Sequence, residues 1–182
     1  VRETEFTRDA GTLCSAGRSR LPVGVAWGDS MAKLYDAGLV PVLVGEAGRK
    51  PCLGICLGMQ LLFERSYEYG CHEGLGLLKG QVVPMEGKLP ADLKIPHMGW
   101  NALEVKGGTL LDGLDGQYVY FVHSFFAEDC DDSLAAVTEY GIPITAAVEQ
   151  GNIYGCQFHP EKSSTTGLKI LKNFAAIKGG TD

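Results

Sequence analysis

The sequence holds no pair of cysteines spaced C-x-x-C, although six are present: Cys14, Cys52, Cys56, Cys71, Cys130 and Cys156. That spacing argues against a zinc site or a disulfide framework and predicts free thiols in a reducing cytoplasm. No stretch approaches the roughly 18–20 consecutive apolar residues that span a bilayer, so a membrane role is not expected. The opening, Val1 to Ala10, is polar and charged, unlike a signal peptide. Basic residues are scarce: Lys plus Arg number 16 against 22 for Asp plus Glu, a net charge of −6. The balance disfavours nucleic acid and anionic membranes as partners. None of the four histidines pairs with another at metal-ligand spacing, so no metal is expected; no other cofactor is assigned. There is no internal repeat, no low-complexity tract and no interdomain linker.

What is present fits one domain: 182 residues, 45% of them hydrophobic. An amphipathic helix is predicted from Gly28 to about Leu43, with Met31, Leu34 and Leu39 on one side and Pro41 ending or kinking it. Pro51 to Ile55 reads as a short apolar strand that runs into a helix over Leu57 to Glu68. The runs Gly80–Pro84, Trp100–Val105, Gln117–His123, Ala135–Tyr140, Ile144–Val148 and Ile153–Phe158 are strand-like and bounded by Gly, Pro or Asp. A last helix is predicted from about Thr165 to Ile177. Thr7 to Arg20 has little apolar periodicity and reads as a disordered arm or an ill-defined start. The pattern is that of an α/β sheet protein.

Gly54-Ile55-Cys56-Leu57-Gly58 lies between the predicted strand and helix, a G-x-C-x-G arrangement with the form of a nucleophile elbow carrying a thiol. Its glycines allow a tight turn, and a helix N-terminus is expected to lower the thiol's pKa. The N–H of Leu57 is expected to face a developing oxyanion. The competing reading is a buried structural thiol, which is the reading for Cys52. A nucleophile of this kind needs a base and an orienter. His159-Pro160-Glu161 supplies both, because residues two apart in an extended segment share a side. His72 reads as a solvated loop residue, while His97 and His123 fit structural and functional roles equally well.

With these residues in place, the chain resembles the class I (triad) glutamine amidotransferases. Most closely it resembles the glutaminase subunits of imidazole glycerol phosphate synthases. The matching stretches are Leu21-Pro22, Trp27 to Met31, Lys50 to Glu64, Ile95 to Asn101, Tyr120 to Phe125 and Gly155 to Ser163. The segment His97-Met98-Gly99-Trp100-Asn101 singles out this subunit. The resemblance implies a flavodoxin-like α/β fold, with a mixed central sheet flanked by helices and the elbow between strand and helix. It implies an amidotransferase domain over residues 21–182, preceded by an atypical segment, 1–20. It further implies Cys56, His159 and Glu161 as the catalytic triad, with Gln60, Glu68, Ser124 and Phe125 contacting glutamine. Met98, Trp100 and Asn101 would face a (β/α)8-barrel cyclase in a heterodimer that receives the ammonia, within histidine biosynthesis.

Two departures from the family pattern stand out. Pro22-Val23-Gly24-Val25 replaces a Pro-Gly-Val-Gly loop, so Val23 and Gly24 take the place of the second oxyanion donor and turnover is expected to suffer. The family's opening strand and Gly-x-Gly-Asn loop are not visible in residues 1–20, and lower stability is expected to follow from an uncovered sheet edge. Three rival readings remain: an amidotransferase serving anthranilate, aminodeoxychorismate or purine synthesis, a catalytically impaired docking subunit, and a cysteine peptidase. The Gln60 and Glu68 pocket disfavours the last.

Overall fold

The computed structural model of the chain describes residues 5–21 and 26–178. The first part of the chain forms α1 (Ala10–Ser15), β1 (Ser19–Leu21), α2 (Trp27–Asp36), α3 (Leu39–Ala47), β2 (Cys52–Ile55) and the single turn α4 (Leu57–Gln60). Short strands follow: β3 (Phe63–Ser66), β4 (His72–Glu73), β5 (Leu78–Pro84), β6 (His97–Ala102), β7 (Glu104–Val105) and β8 (Tyr118–His123). Then come β9 (Phe125–Glu128), β10 (Leu134–Glu139), β11 (Pro143–Gln150), β12 (Ile153–Cys156) and α5 (Ser164–Ala176).

The main sheet has the order β1-β2-β12-β11-β10-β7. β1, β2 and β12 run parallel, and the remaining pairs are antiparallel. All four residues of β2 are buried, as a parallel strand covered on both faces requires. Its side chains alternate between two cores. Cys52 joins Trp27, Met31, Leu39 and Leu43 from α2 and α3 on one face. Leu53 and Ile55 join Ile170 and Phe174 from α5 on the other. A second sheet, β4-β3-β5-β9, and the β6–β8 ribbon flank this centre.

Most of the expected strands form, but three local expectations are corrected. The helix expected over Gly28 to Leu43 is two helices, separated by Gly38 at φ +66°. Pro41 sits in the first turn of α3, where its missing N–H costs nothing, so the glycine and not the proline makes the break. The helix expected over Leu57 to Glu68 ends after one turn. Leu61, Leu62 and Phe63 are all buried, a demand for cover on every side. The chain meets it by extending into β3, which pairs with β4 and β5. The run Trp100–Val105 is divided by the buried Leu103 into β6 and β7.

Nor are residues 7–20 an arm. Asp9 caps α1, its carboxylate accepting from the Thr12 N–H at 2.7 Å. β1 pairs with β2 from Ser19 opposite Cys52 to Leu21 opposite Gly54. The buried Lys50 ammonium donates to the Leu13 and Cys14 carbonyls and pairs with Glu46 at 3.0 Å. Polar ties such as these leave no apolar period to read. Lys50→Ala is expected to cost about 1–3 kcal/mol, since it removes the donor to the Leu13 and Cys14 carbonyls and the nearer of the two cations beside Glu46. Urea unfolding checks the magnitude, and hydrogen exchange is expected to quicken in residues 10–15 before the sheet.

Candidate active site

β2 and β12 are parallel neighbours with Ile55 opposite Cys156. The residues that follow, Cys56 and Gln157, therefore emerge side by side at the carboxyl edge of the sheet, where open α/β sheets bind ligands. The Cys56 N–H donates to the Cys156 carbonyl at 2.8 Å, which locks the turn. Cys56 itself sits at φ +53°, ψ −112°. A non-glycine residue held there stores about 1–3 kcal/mol of strain. The flanking glycines are needed for close approach: a Cβ on Gly54 would lie 2.6 Å from the Met59 nitrogen, and one on Gly58 2.5 Å from the Leu21 oxygen.

The Leu57 N–H is directed at the Cys56 sulfur, and the Gln157 amide donates to it at 3.7 Å. The expected lowering of the thiol pKa does not occur. Burial dominates and pushes the thiol up to about 11, with the Glu161 charge adding to it. The Leu57 N–H, Lys162 and Gln157 only partly offset this. A helix of one turn carries too little dipole to compete with desolvation.

His159 follows β12 in extended geometry, φ −102°, ψ 98°, and its ring is buried. Its Nδ1 meets Glu161 Oε1 at 2.7 Å, the geometry that the His-Pro-Glu spacing predicts. That contact leaves Nε2 free of the carboxylate. Two hydrogen bonds fasten this segment to β8: His159 N–H to the Tyr120 carbonyl at 2.9 Å and Tyr120 N–H to Ser163 Oγ at 3.0 Å.

Gln60, buried in α4, donates to the Phe125 carbonyl at 3.0 Å and to Gln157 Oε1 at 2.9 Å. Phe125 opens β9, directly after Ser124, whose carbonyl accepts from the Met85 N–H at 2.9 Å. Glu68 is half-buried and caps α2, accepting from the Trp27 N–H at 2.8 Å. Val23 and Gly24 lie outside the described residues. On β6, Met98 and Trp100 are 60% and 49% exposed on one face, beside Tyr118 at 59%. Asn101 points the other way, holding His97 Nε2 at 2.9 Å and donating to the Glu139 carbonyl at 3.0 Å. Among the described residues no group of three His, Cys, Asp or Glu side chains is placed to hold a metal ion.

Sequence reasoning missed Gln157, fully buried between Cys156 and Phe158. The signal was available: an amide inside an apolar strand end has to find partners. It also missed the direct contact between His97 and His123, whose rings meet at 3.1 Å through Nδ1 and Nε2.

A parallel-sheet edge bearing a thiol elbow, with a His–Glu pair on the neighbouring strand, defines the triad amidotransferase class. A family model described as glutamine amidotransferase class-I matches residues 37–177, and the chain belongs to that family. Curated relatives of the chain bear the name imidazole glycerol phosphate synthase subunit HisH. The one from Rhodopirellula baltica is 47% identical over 95% of this chain and 85% of its own length. The one from Sulfurimonas denitrificans is 52% identical over 87% and 78%, and the one from Methanothermobacter thermautotrophicus 45% identical over 94% and 84%. A crystal structure of a glutamine amidotransferase shares the fold, with a TM-score of 0.73 at 19% identity over 96% of this chain and 88% of that one. A glutamine amidotransferase from Thermotoga maritima shares it less fully, with a TM-score of 0.55 at 17% identity over 87% and 62%.

In the resting chain, iodoacetamide is expected to alkylate the exposed Cys14 and Cys71 first. Labelling of Cys56 is expected to climb about tenfold per pH unit between pH 7 and 10, following the thiolate fraction below a pKa near 11. Peptide mass spectrometry reads both. Gly58→Ala is expected to cost about 1–3 kcal/mol through the Leu21 clash, measured as a shift in the urea midpoint.

Proposed function

We propose that this chain is the glutaminase subunit of an imidazole glycerol phosphate synthase, working in the cytoplasm as a heterodimer with a (β/α)8-barrel cyclase. The observation that carries the reading is Cys56 held on a strained elbow, one strand away from a buried His159 oriented by Glu161 at 2.7 Å. Identities of 45–52% to relatives named HisH support the choice of partner. We place the amidotransferase domain at 21–182, preceded by the atypical segment 1–20, of which Ser19 and Arg20 enter β1.

In this reading His159 Nε2 takes the Cys56 proton and the thiolate attacks the glutamine carboxamide carbon. Negative charge on the carboxamide oxygen is met by the Leu57 N–H, with the second donor assigned to a backbone N–H of Val23 or Gly24. His159 returns the proton to the departing ammonia, leaving a thioester. Water, deprotonated by His159, then releases glutamate. Gln60 and the Ser124–Phe125 edge line the glutamine, and the Glu68 carboxylate suits its α-ammonium group. Glu161 keeps the imidazole in the tautomer with Nδ1 protonated, as a triad orienter does. A thiol raised to about 11 by burial fits low basal turnover that rises when a partner or substrate brings compensating charge.

The Met98, Trp100 and Tyr118 face of the β6–β8 ribbon supports docking through an aromatic anchor. Its exposed apolar side chains stand together across the paired strands. Trp100→Ala is expected to weaken cyclase binding by about 2 kcal/mol or more, on the order of thirtyfold in Kd, read by calorimetry. Glutamate release from glutamine is expected to be slow in the chain alone, to rise with the cyclase and to vanish in Cys56→Ala. Release that persists in Cys56→Ala would sink the mechanism. Release by the wild type that ignores the cyclase would point to an amidotransferase of another pathway.

A further inference from the structure

A continuous hydrogen-bonded chain crosses the molecule from the docking strand to the thiol. It starts at the Glu139 carbonyl, which accepts from Asn101 Nδ2 at 3.0 Å, and Asn101 Oδ1 faces His97 Nε2 at 2.9 Å. His97 Nδ1 faces His123 Nε2 at 3.1 Å, and His123 Nδ1 faces the Phe125 carbonyl at 2.8 Å. The same carbonyl accepts from Gln60, which donates to Gln157, whose amide donates to Cys56. The links at Glu139 and Phe125 fix the orientation of the rest, because a backbone carbonyl only accepts.

Counting protons exposes a shortage. Two contacts, ring to Phe125 carbonyl and ring to Asn101 Oδ1, each require an N–H, and the ring-to-ring contact requires one more. That makes three N–H groups, while two neutral imidazoles supply two. Burial lowers the proton affinity of both rings, and takes His123 to about 3, so a third proton is resisted. His123 must spend its proton on Phe125. His97 is then left with one proton for two partners. It donates either outward to Asn101 or inward to His123, never to both.

We propose that His97 is a positioning residue that works as a tautomeric switch between the docking strand and the glutamine pocket. The proposal rests on the glutaminase reading and deepens it by naming how the site is regulated. With Nδ1 protonated, His97 holds His123, which in turn fixes the Phe125 carbonyl, Gln60, Gln157 and the thiol. With Nε2 protonated, it holds Asn101 and the inner links lose their outer support. The exchange moves one proton from Nε2 to Nδ1 by way of water and leaves the proton count unchanged. Phe121 and Tyr140 stack on the ring at 4.8 and 4.0 Å, so the ring stays in place while its donor changes. The outer end is well placed to feel a partner. Met98 and Trp100 occupy the exposed face of β6, and His97 and Asn101 the inner face of the same strand. Pressure on that strand shifts the Asn101 link and so selects the tautomer. Such a two-state element, biased from both ends, is the physical requirement for coupling between sites.

The test is imidazole nitrogen NMR on the full chain, joined to kinetics. At pH 7 both rings are expected neutral, His123 protonated at Nδ1 and His97 averaging between its two forms. Asn101→Ala removes the outward acceptor. It is expected to move His97 to the Nδ1-protonated form and raise cyclase-free kcat about twofold to tenfold, the worth of one hydrogen bond, with KM changing less. Cyclase stimulation should shrink by the same factor. His97→Phe keeps the stack but neither donor, and is expected to lower kcat and to make the added Asn101→Ala change silent, with thermal melts reporting whether each variant folds. An imidazolium at His97, or His97 shifts that ignore Asn101→Ala, would overturn the switch. Absence of glutamate release by the wild type with cyclase would instead sink the glutaminase reading, while the NMR result still decides the switch.

Discussion

The parallel pairing of β2 with β12, Ile55 opposite Cys156, is the constraint on which the rest of the structure depends. Parallel strands end at the same edge, so this register alone delivers Cys56 and the Gln157–His159 segment to one place from distant parts of the sequence. The glycines serve that register. Gly54 and Gly58 allow the elbow to fold back, and Gly155 admits Met59 and Val148 where a Cβ would overlap both. The two cores on either face then hold β2 rigid, which lets the strain at Cys56 persist.

Around this edge the protein relies on oriented neutral dipoles more than on charge. The thiol is desolvated, and its contacts are the Leu57 N–H and the Gln157 amide. Gln60, Gln157, His97, His123 and Asn101 are joined in one network, four of them buried. In a medium of low dielectric such a network is stiff when satisfied and sensitive wherever a donor is missing. The ion pairs Lys79–Asp132 and Lys106–Glu104 lie on the surface.

Much of the fold was legible because buried elements need apolar residues and breakers bound them. β10, β11 and β12 fall where apolar runs bounded by Gly, Pro or Asp placed them, and α5 where helical spacing did. The failures have particular causes. Leu61 to Phe63 are buried all round, and a run of that kind reads equally as helix or strand until its neighbours are known. Residues 7–20 are held by Asp9, Lys50 and the strand pairings of Ser19 and Arg20, none of which leaves a hydrophobic pattern. The pKa of Cys56 was misjudged because local sequence shows the helix N-terminus but not the depth at which the turn is buried.

By itself, then, the sequence determined the chemistry and its local geometry: a thiol framed by glycines, and a histidine two residues from its carboxylate. Those depend on short-range backbone sterics, which the neighbouring residues dictate. Only the tertiary structure decided what each group meets across the chain: that Glu68 caps α2, that Asn101 turns inward, and that His97 and His123 must divide two protons among three contacts. The physical reason is that desolvation and hydrogen-bond partnership are properties of a packed environment, and here the partners come from β6, β8, β9, α4 and β12, which are brought together only by the fold.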